Sequence, residues 1–324
     1  MTRLARAAAL VMSIVLISTT ALGQSARQPI RILAGFPPGG NVDLLARLFA
    51  ERINDATGRA TIVVNKPGAG GQIAAEVLKE SPPDGDTLML APDATVVVRP
   101  LIMTKPPYDP TVDFAAVAQT GAQDYAMALS AQIPPTTLKE FAAWAKDHPD
   151  GAHFGSSGEG GSTHFLGMQI GEAIGVPLRQ VPFAGAGPAI TAAVSGEISS
   201  TVQPIGTLVQ QAKAGTIRIV AVTGASRNAT FPDAPTLVEL GYPSIQATSW
   251  FGMFAPAKTP KETVAKLNAI IVAAMKTPKI KDTMAQQLLD IHEMNPEQFA
   301  AVVKSDTERW RPIIKASGFK VEIH

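Results

Sequence analysis

Apolar and polar residues follow two different periods along most of this chain. Ile30 to Ala34 is a short run of strand-forming residues. The segment that starts near Asn41 then places Val42, Leu45 and Phe49 on one face at helical spacing. These patterns predict a strand followed by an amphipathic helix.

The same alternation continues to about residue 223. It predicts further strands at 61–65, 87–90, 125–129, 152–154, 178–182, 198–203 and 217–223, and helices around 73–78 and at 138–146, 161–174, 186–195 and 208–214. Strands that alternate with helices form mainly parallel sheets with helices on both faces. We therefore predict the α/β class, with a helical C-terminal part.

Three helix starts carry capping signals. Thr137 is followed three residues later by Glu140, which is the spacing of a capping box. The stretches Thr259–Glu262 and Asn295–Gln298 show the same spacing, and each has proline at the expected first helical position. These signals predict side-chain caps at all three places.

The N-terminus has the pattern of a secretory signal peptide. Arg3 and Arg6 precede an uninterrupted apolar run at 7–17, and Ala21-Leu22-Gly23 fits a small-x-small cleavage site. The alternative is a membrane anchor, but the apolar run is about half of the roughly 20 residues that a spanning helix needs. We predict cleavage after Gly23, removal of residues 1–23 and export to the periplasm.

Composition bounds the architecture and the partners. The chain has 324 residues and no cysteine, so its stability does not depend on disulfides, and its length favours two domains. The net charge is +1, with no basic tract of the kind that binds nucleic acid and no polybasic patch for a membrane surface.

Three glycine-rich loops each lie between a predicted strand and a predicted helix, at 36–43, 67–72 and 155–164. Backbone N–H groups at a helix start, together with the positive end of the helix dipole, attract anions. Glycine also allows a ligand to approach the backbone closely. The alternative is that strand-to-helix turns simply favour glycine. The repetition favours anion binding.

Specific catalytic and cofactor signatures are incomplete in these loops. Ile73 interrupts the dinucleotide fingerprint, Gly161 stands where a phosphate-binding loop needs lysine, and Glu159 stands where a hydrolase nucleophile elbow needs glycine. His164 falls in the first turn of a predicted helix, where a packing or hydrogen-bonding role is favoured over that of a base. We predict no metal site and no cofactor.

Several motifs together resemble one known family. They are FPPGGxxDxxAR at 36–47, NKPGAGG at 65–71, PDGDTL at 83–88, the serine- and glycine-rich loop at 156–164, VPFxGxxPA at 181–189, PDAPTLxELG at 232–241 and the stretch at 248–257. In this order they resemble the substrate-binding proteins of tripartite tricarboxylate transporters, also called the Bug family. The resemblance covers about 29–321.

The resemblance implies a two-lobed periplasmic-binding-protein-like fold of type II, in which each lobe is a mainly parallel sheet flanked by helices. It implies one lobe formed by 27–122 plus 250–324, a second formed by 123–249, and crossovers near 121–125 and 247–250. In that family a small organic carboxylate is held in the interlobe cleft by backbone amides and small side chains. The expected protein is a monomer that meets membrane transporter subunits transiently.

The resemblance also transfers the binding positions. In lobe 1 they are Phe36, Pro37, Gly39, Gly40, Asn41, Asp43, Pro92 and Asp93. In lobe 2 they are Ser156, Ser157, Gly160, Ser162, Thr163, Phe183, Ala184, Gly185, Ala186 and Gln203. Of these, Asp43 is expected to cap its helix and Phe183 to form an apolar wall, and Gly40 to allow close approach and any positive φ.

Three positions depart from the family pattern: Asn41 replaces a threonine, Asp93 a serine or threonine, and Gln203 an aspartate. Asp93 either faces a donor group of the ligand or turns away and bonds the backbone of its own loop. We therefore expect a mono- or dicarboxylate, with or without an amino or hydroxyl group. Two other functions stay open, namely ligand binding for a sensor system and a secreted α/β hydrolase.

Overall fold

The computed structural model describes residues 28–321, so the predicted signal peptide at 1–23 lies outside the described residues. One nine-stranded sheet runs through the molecule in the order β2-β1-β3-β9-β4-β7-β5-β6, with β8 also paired to β4. The strands are β1 (Ile30–Ala34), β2 (Thr61–Asn65), β3 (Thr87–Pro92), β4 (Phe114–Ser130), β5 (His153–Ser156), β6 (Arg179–Pro182), β7 (Ser200–Pro204), β8 (Ile217–Val222) and β9 (Thr248–Pro256).

Helices cover both faces of this sheet. They are α1 (Asn41–Thr57), α2 (Gln72–Lys79), α3 (Arg99–Leu101), α4 (Leu138–Asp147), α5 (Ser162–Ala173), α6 (Ala186–Ser195), α7 (Ile205–Lys213), α8 (Lys261–Met275), α9 (Pro278–Gln286) and α10 (Pro296–Ser317). A π-helical turn, Ala94–Val98, leads from β3 into α3. None of the helices within 28–321 is long and apolar enough to cross a membrane.

Strand β4 is 17 residues long and belongs to both parts of the sheet. β9 runs antiparallel to β3 and to β4, so β1, β2 and β3 run in the same direction as β4. β7 runs antiparallel to β4, and β5 and β6 follow β7. The two sets of parallel strands therefore run toward each other, and their carboxyl ends converge on the middle of β4.

The partners of β4 change at one point. It pairs with β9 as far as Asp124 and Thr248, and with β7 and β8 from Tyr125 and Ala126 onward. Lobe 1 is here the part built on β2-β1-β3-β9 and the first section of β4. Lobe 2 is the part built on β6-β5-β7, β8 and the last section of β4. This change of partners lies within the predicted crossover at 121–125.

The hydrophobic core differs between the two faces of the sheet. Leu33, Met89 and Met127 belong to a cluster that also contains Phe165 of lobe 2 and Trp310 of lobe 1, so this core is continuous across both lobes. Alternate strand residues point to the other face. There the core is divided into one cluster in lobe 1 and another in lobe 2. The lobes are joined on the first face and separate on the second.

Two of the three capping boxes predicted from the sequence are confirmed, and one is not. Thr137 and Asn295 form the predicted capping boxes of α4 and α10. The box predicted at Thr259 is wrong, because α8 begins at Lys261 with Pro260 as its N-cap. The hydroxyl of Thr259 is buried and has no hydrogen-bond partner among the described residues. Pro260 has an extended ψ of 135° and takes the N-cap position itself, so Thr259 lies one residue before the cap.

Substitutions of two helical glycines can test how tightly the core that both lobes share is packed. A Cβ at Gly167 would lie 2.0 Å from the Phe154 ring, whereas one at Gly187 would meet nothing within 4 Å. We expect Gly167→Ala to lower the free energy of unfolding by about 1–3 kcal/mol through overpacking. Gly187→Ala should leave it unchanged or raise it by up to about 1 kcal/mol. Urea unfolding measures both, and an unchanged midpoint for Gly167→Ala would show that the Phe154 contact is loose.

Candidate functional site

The loop between β1 and α1 is held from behind by Asp43. The Asp43 carboxylate accepts hydrogen bonds from the Gly39 amide (3.0 Å), Asn65 Nδ2 (2.9 Å) and, through both oxygens, Arg47 (2.9 and 3.0 Å). Asn65 Nδ2 also donates to the Phe36 carbonyl. The hydrogen bond from Arg47, with those from Gly39 and Asn65, holds the pKa of Asp43 at about 2 against the effect of burial. Asp43 is thus an ionised residue that shapes the loop.

The two glycines of this loop have different conformational requirements. Gly39 has a φ of +89°, which favours glycine, and Gly40 has a φ of −82°, which any residue adopts. The positive φ considered for Gly40 therefore occurs at its neighbour. A Cβ at Gly40 would meet only the Pro37 carbonyl oxygen, at 3.8 Å. Neither backbone conformation nor packing requires glycine at position 40.

Four helices within 28–321 begin on a glycine that provides no side-chain cap. The glycines are Gly40 of α1, Gly71 of α2, Gly161 of α5 and Gly185 of α6. Each of these helices follows a parallel strand and begins at its carboxyl end. First-turn N–H groups have no partner inside their own helix. Gly71 at the start of α2 is buried against Thr95, but the starts of α1, α5 and α6 are accessible, and the helix dipole favours an anion there.

The loop after β5 uses its hydroxyls to hold its own shape. Ser156 Oγ donates to the Gly158 carbonyl (2.9 Å), and Thr163 Oγ1 accepts from the Ser157 amide (3.0 Å). Ser157 Oγ hydrogen-bonds to Gln203 Oε1. Gln203 is fully buried, and its amide donates to Thr201 Oγ1 (3.0 Å). Of these predicted site residues, only Ser157 has a partly exposed side chain.

Gly160 and His164 form a packed corner next to lobe 1. The Gly160 amide donates to His164 Nδ1 (3.1 Å), so this ring nitrogen is the unprotonated one. Burial lowers the pKa of His164, which keeps the ring neutral. A Cβ at Gly160 would lie 2.6 Å from the Phe319 ring and 2.9 Å from Ile102. Both residues therefore have structural contacts on the face where the lobes are joined.

Asp93 is the first residue after β3 and is 1% exposed. Its Oδ2 accepts from Tyr125 OH (3.1 Å) on β4 and from Ser162 Oγ (3.0 Å) on α5. Of the two arrangements considered from the sequence, the bond to the backbone of its own loop is not the one formed here. The carboxylate bonds two side chains instead of the backbone of its own loop, and its two donors belong to the protein. Burial, together with the nearby Asp306 carboxylate, raises the pKa of Asp93 to about 6 against the two hydroxyl bonds.

The remaining predicted positions lie near the start of α6 or flank the first loop. Gly185 has a φ of +114° with open space around it, and Phe183 packs partly against the lobe 2 core. Partly or fully exposed are Phe36, Pro37, Asn41, Pro92, Ala184 and Ala186. Gly161 and Gly187 were not among the predicted site residues, but they lie at the starts of α5 and α6. Both face open space and have no positive φ.

A cavity of about 640 Å³ lies beside the crossover, lined by lobe 1 residues of 281–291, lobe 2 residues of 226–230, and Asp124 of β4. Burial, with Asp290 nearby, raises the pKa of Asp124 to about 6.

Within residues 28–321 there is no group of three or more histidine or acidic side chains that could hold a metal ion.

Comparison with known proteins identifies relatives of one family, which match most of the chain. A family model described as "Tripartite tricarboxylate transporter family receptor" matches residues 45–319. Protein BugT of Bordetella pertussis is 27% identical over 91% of this chain and 91% of its own length. A protein encoded in the tcbD–tcbE intergenic region of a Pseudomonas species is 30% identical over 89% of this chain and 85% of its own length.

Solved structures agree with these relatives. A protein described as a periplasmic transporter is 32% identical, with a TM-score of 0.81 over 91% of this chain and 99% of its own. MatC from Rhodopseudomonas palustris, solved with bound malate, is 28% identical, with a TM-score of 0.77 over 88% and 98% of the two chains. A second R. palustris protein, solved with adipate, is 25% identical, with a TM-score of 0.81 over 93% and 100%.

The raised pKa of Asp93 predicts a specific dependence of stability on pH. The pKa is about 6 in the folded chain against 3.8 ordinarily, so the folded state binds the proton more tightly. Stability should therefore fall as pH rises from about 4 to about 6, by about 3 kcal/mol from this group. Asp124 should act in the same direction and window, whereas Asp43 should lose its contribution only below pH 4.

Urea unfolding between pH 4 and pH 7 measures this slope. Asp93→Asn should reduce the slope of unfolding free energy against pH by the contribution of Asp93. Asp124→Asn is the matched variant and should remove the contribution of the second carboxyl. An Asp93→Asn protein that keeps the full wild-type slope would show that Asp93 does not titrate in this window.

Proposed function

The chain belongs to the tripartite tricarboxylate transporter family of receptors, and from this premise we propose that it captures a small organic carboxylate. The captured molecule is a mono- or dicarboxylate, with or without an amino or hydroxyl group. The receptor delivers it to a tripartite tricarboxylate-type membrane transporter. It does so in the periplasm, after removal of residues 1–23, and as a monomer.

One observation carries this proposal: glycines that the fold itself does not require. Gly40, Gly161 and Gly187 have no positive φ, and a Cβ there would meet nothing closer than 3.8 Å. Serine, threonine or aspartate is preferred at the N-cap positions 40 and 161, because their side chains satisfy first-turn N–H groups. Glycine there leaves these donors to a ligand, and its lack of a side chain lets a carboxylate approach them.

The donor set suits one or two carboxylates more than a highly charged anion. The guanidinium of Arg47, on the helix that follows the first loop, is paired with Asp43. Neutral N–H groups from both lobes thus bind the anion. The related MatC was solved with malate and a second relative with adipate, and both are dicarboxylates. Two carboxylates held by helix starts of opposite lobes would draw the lobes together.

We divide the eighteen positions transferred from the family into two groups. The exposed or partly exposed ones contact the ligand: Phe36, Pro37, Gly39, Gly40, Asn41, Pro92, Ser157, Phe183, Ala184, Gly185 and Ala186, joined by Gly161 and Gly187. The buried ones keep these loops in shape: Asp43, Asp93, Ser156, Gly160, Ser162, Thr163 and Gln203. The lobes that close are 27–122 plus 250–324, and 123–249.

The same contacts argue against hydrolysis. A serine nucleophile needs a base within hydrogen-bond reach. Ser156 Oγ donates instead to the Gly158 carbonyl, and Ser157 Oγ bonds to Gln203. The His164 ring accepts the Gly160 amide. The family is one of receptors, and this arrangement serves binding.

A panel of organic acids tests the proposed function. The mature chain is mixed with malate, adipate, aspartate, acetate and citrate, and both the melting temperature and calorimetric binding are measured. At least one mono- or dicarboxylate should raise the melting temperature and bind with a single site, because ligand binding to the folded state stabilises it. A panel in which citrate alone binds would contradict the proposed ligand class, and a panel in which no acid binds would contradict the function.

A substitution that improves a helix cap should weaken binding. Gly40→Asp and Gly161→Asp each place a carboxylate over the first-turn N–H groups, where it competes with the ligand and repels it. We expect the affinity for the best acid of the panel to fall at least tenfold, with helix stability unchanged or raised by a few tenths of a kcal/mol.

Thr277→Asp is the matched control for both variants. Thr277 is the extended N-cap of α9 and makes no cap hydrogen bond, so the same charge is added at a helix start outside the proposed site. Its affinity should equal that of the wild type. Equal affinity for Gly40→Asp and Thr277→Asp would place the ligand away from α1.

A further inference from the structure

A buried hydrogen-bonded group connects the two lobes at the start of α5. Asp93 follows β3 in lobe 1, Ser162 opens α5 in lobe 2, and Tyr125 lies on β4 where its partners change. Asp93 Oδ2 accepts from Tyr125 OH (3.1 Å) and from Ser162 Oγ (3.0 Å). All three side chains are at most 3% exposed. We call this group the interlobe bridge.

The bridge has no cationic member. Asp93 forms no ion pair within residues 28–321, and the nearby Arg309 is hydrogen-bonded to Asp306 and to the Gln246 carbonyl. The charged groups that face Asp93 are thus Asp306 and Arg309 of α10, and Asp306, which raises the pKa of Asp93, has the larger effect of the two. A buried carboxylate needs hydrogen bonds to compensate for lost hydration. Both of its donors lie in lobe 2, Tyr125 at the point where β4 changes partners and Ser162 at the start of α5.

Apolar contacts next to the interlobe bridge also join the two lobes. Gly160, two residues before Ser162, packs against Ile102 and Phe319. Phe165 of the same helix lies 6.0 Å, ring centre to ring centre, from Phe319 and 6.4 Å from Trp310. Opening the lobes on this side would separate Ser162 from Asp93 and leave the carboxylate with one buried donor. The bridge therefore favours the arrangement in which the lobes are close.

We propose that Asp93 is a positioning residue, which through Ser162 holds the start of α5 against lobe 1 and so favours the closed receptor without touching the ligand. The expected effect of Asp93 on ligand affinity rests on the proposed function. The effect on lobe separation exists without a ligand. The bridge also gives a reason for aspartate at a position that lies beside a proposed anion site.

Lobe separation can be measured directly because the chain has no cysteine. Spin labels at Lys213→Cys on α7 and Lys266→Cys on α8 report the distance between lobe 2 and lobe 1, since both lysines are exposed on the divided face. In the ligand-free protein, Asp93→Asn and Ser162→Ala should each shift the distance distribution to longer values or broaden it. Ser200→Ala is the matched control, because Ser200 is a fully buried lobe 2 serine whose hydroxyl bonds within its own lobe.

Ligand kinetics supply the second readout, with the best acid of the panel as the probe. Asp93→Asn and Ser162→Ala should each raise the dissociation rate about tenfold, the size expected for one hydrogen bond to a charged group. The association rate should change much less. The double variant should be no worse than either single variant, because both remove the same bond. Tyr108→Phe, which removes a buried hydroxyl bonded to the Thr95 carbonyl, should leave both rates unchanged.

The two readouts separate failure of the inference from failure of the function. Unchanged distances together with additive losses of affinity would overturn the bridge and leave the carboxylate receptor intact. Longer distances in a protein that binds no acid of the panel would support the bridge and contradict the proposed function. Distances that change equally in Ser200→Ala would overturn the bridge, since the shift would then reflect any buried hydroxyl.

Discussion

Strand β4 is the constraint on which the rest of the architecture depends. A single strand of 17 residues exchanges one set of partners for another between Asp124 and Tyr125. Because the parallel strands of lobe 1 run with β4 and those of lobe 2 run against it, their carboxyl ends meet at its middle. Ligand sites in parallel α/β sheets lie beyond strand carboxyl ends. The direction of one strand thus brings two half-sites together.

The unequal cores of the two faces follow from the same arrangement. On one face the packing of α5 against α10, through residues such as Phe165 and Trp310, makes a core that both lobes share. On the other face the clusters stay separate. The shared core restrains the lobes on the joined face, whereas no common core joins them on the divided face. The buried Asp93 lies at the joined face, where a polar contact between lobes is excluded from water.

Local sequence signals predicted the elements that depend on neighbouring residues, and missed those that depend on distant ones. The cap at Thr137 needs only Glu140, so its spacing sufficed. The section of β4 before residue 125 has no strand-like alternation, because it is covered on both faces and is rich in alanine. The contact between Asp93 and Ser162 joins residues 69 positions apart. No local pattern encodes that proximity.

The structural reason for a glycine cannot be read from the sequence alone. Gly39 is required by its positive φ, Gly167 by the ring packed against it, and Gly40 by neither. In the sequence these three residues look the same, and each lies beside a predicted helix start or within a helix. Only the folded backbone separates conformational from steric need. A glycine left without either reason, at a helix start with free N–H groups, is where we propose that the ligand carboxylate approaches the backbone.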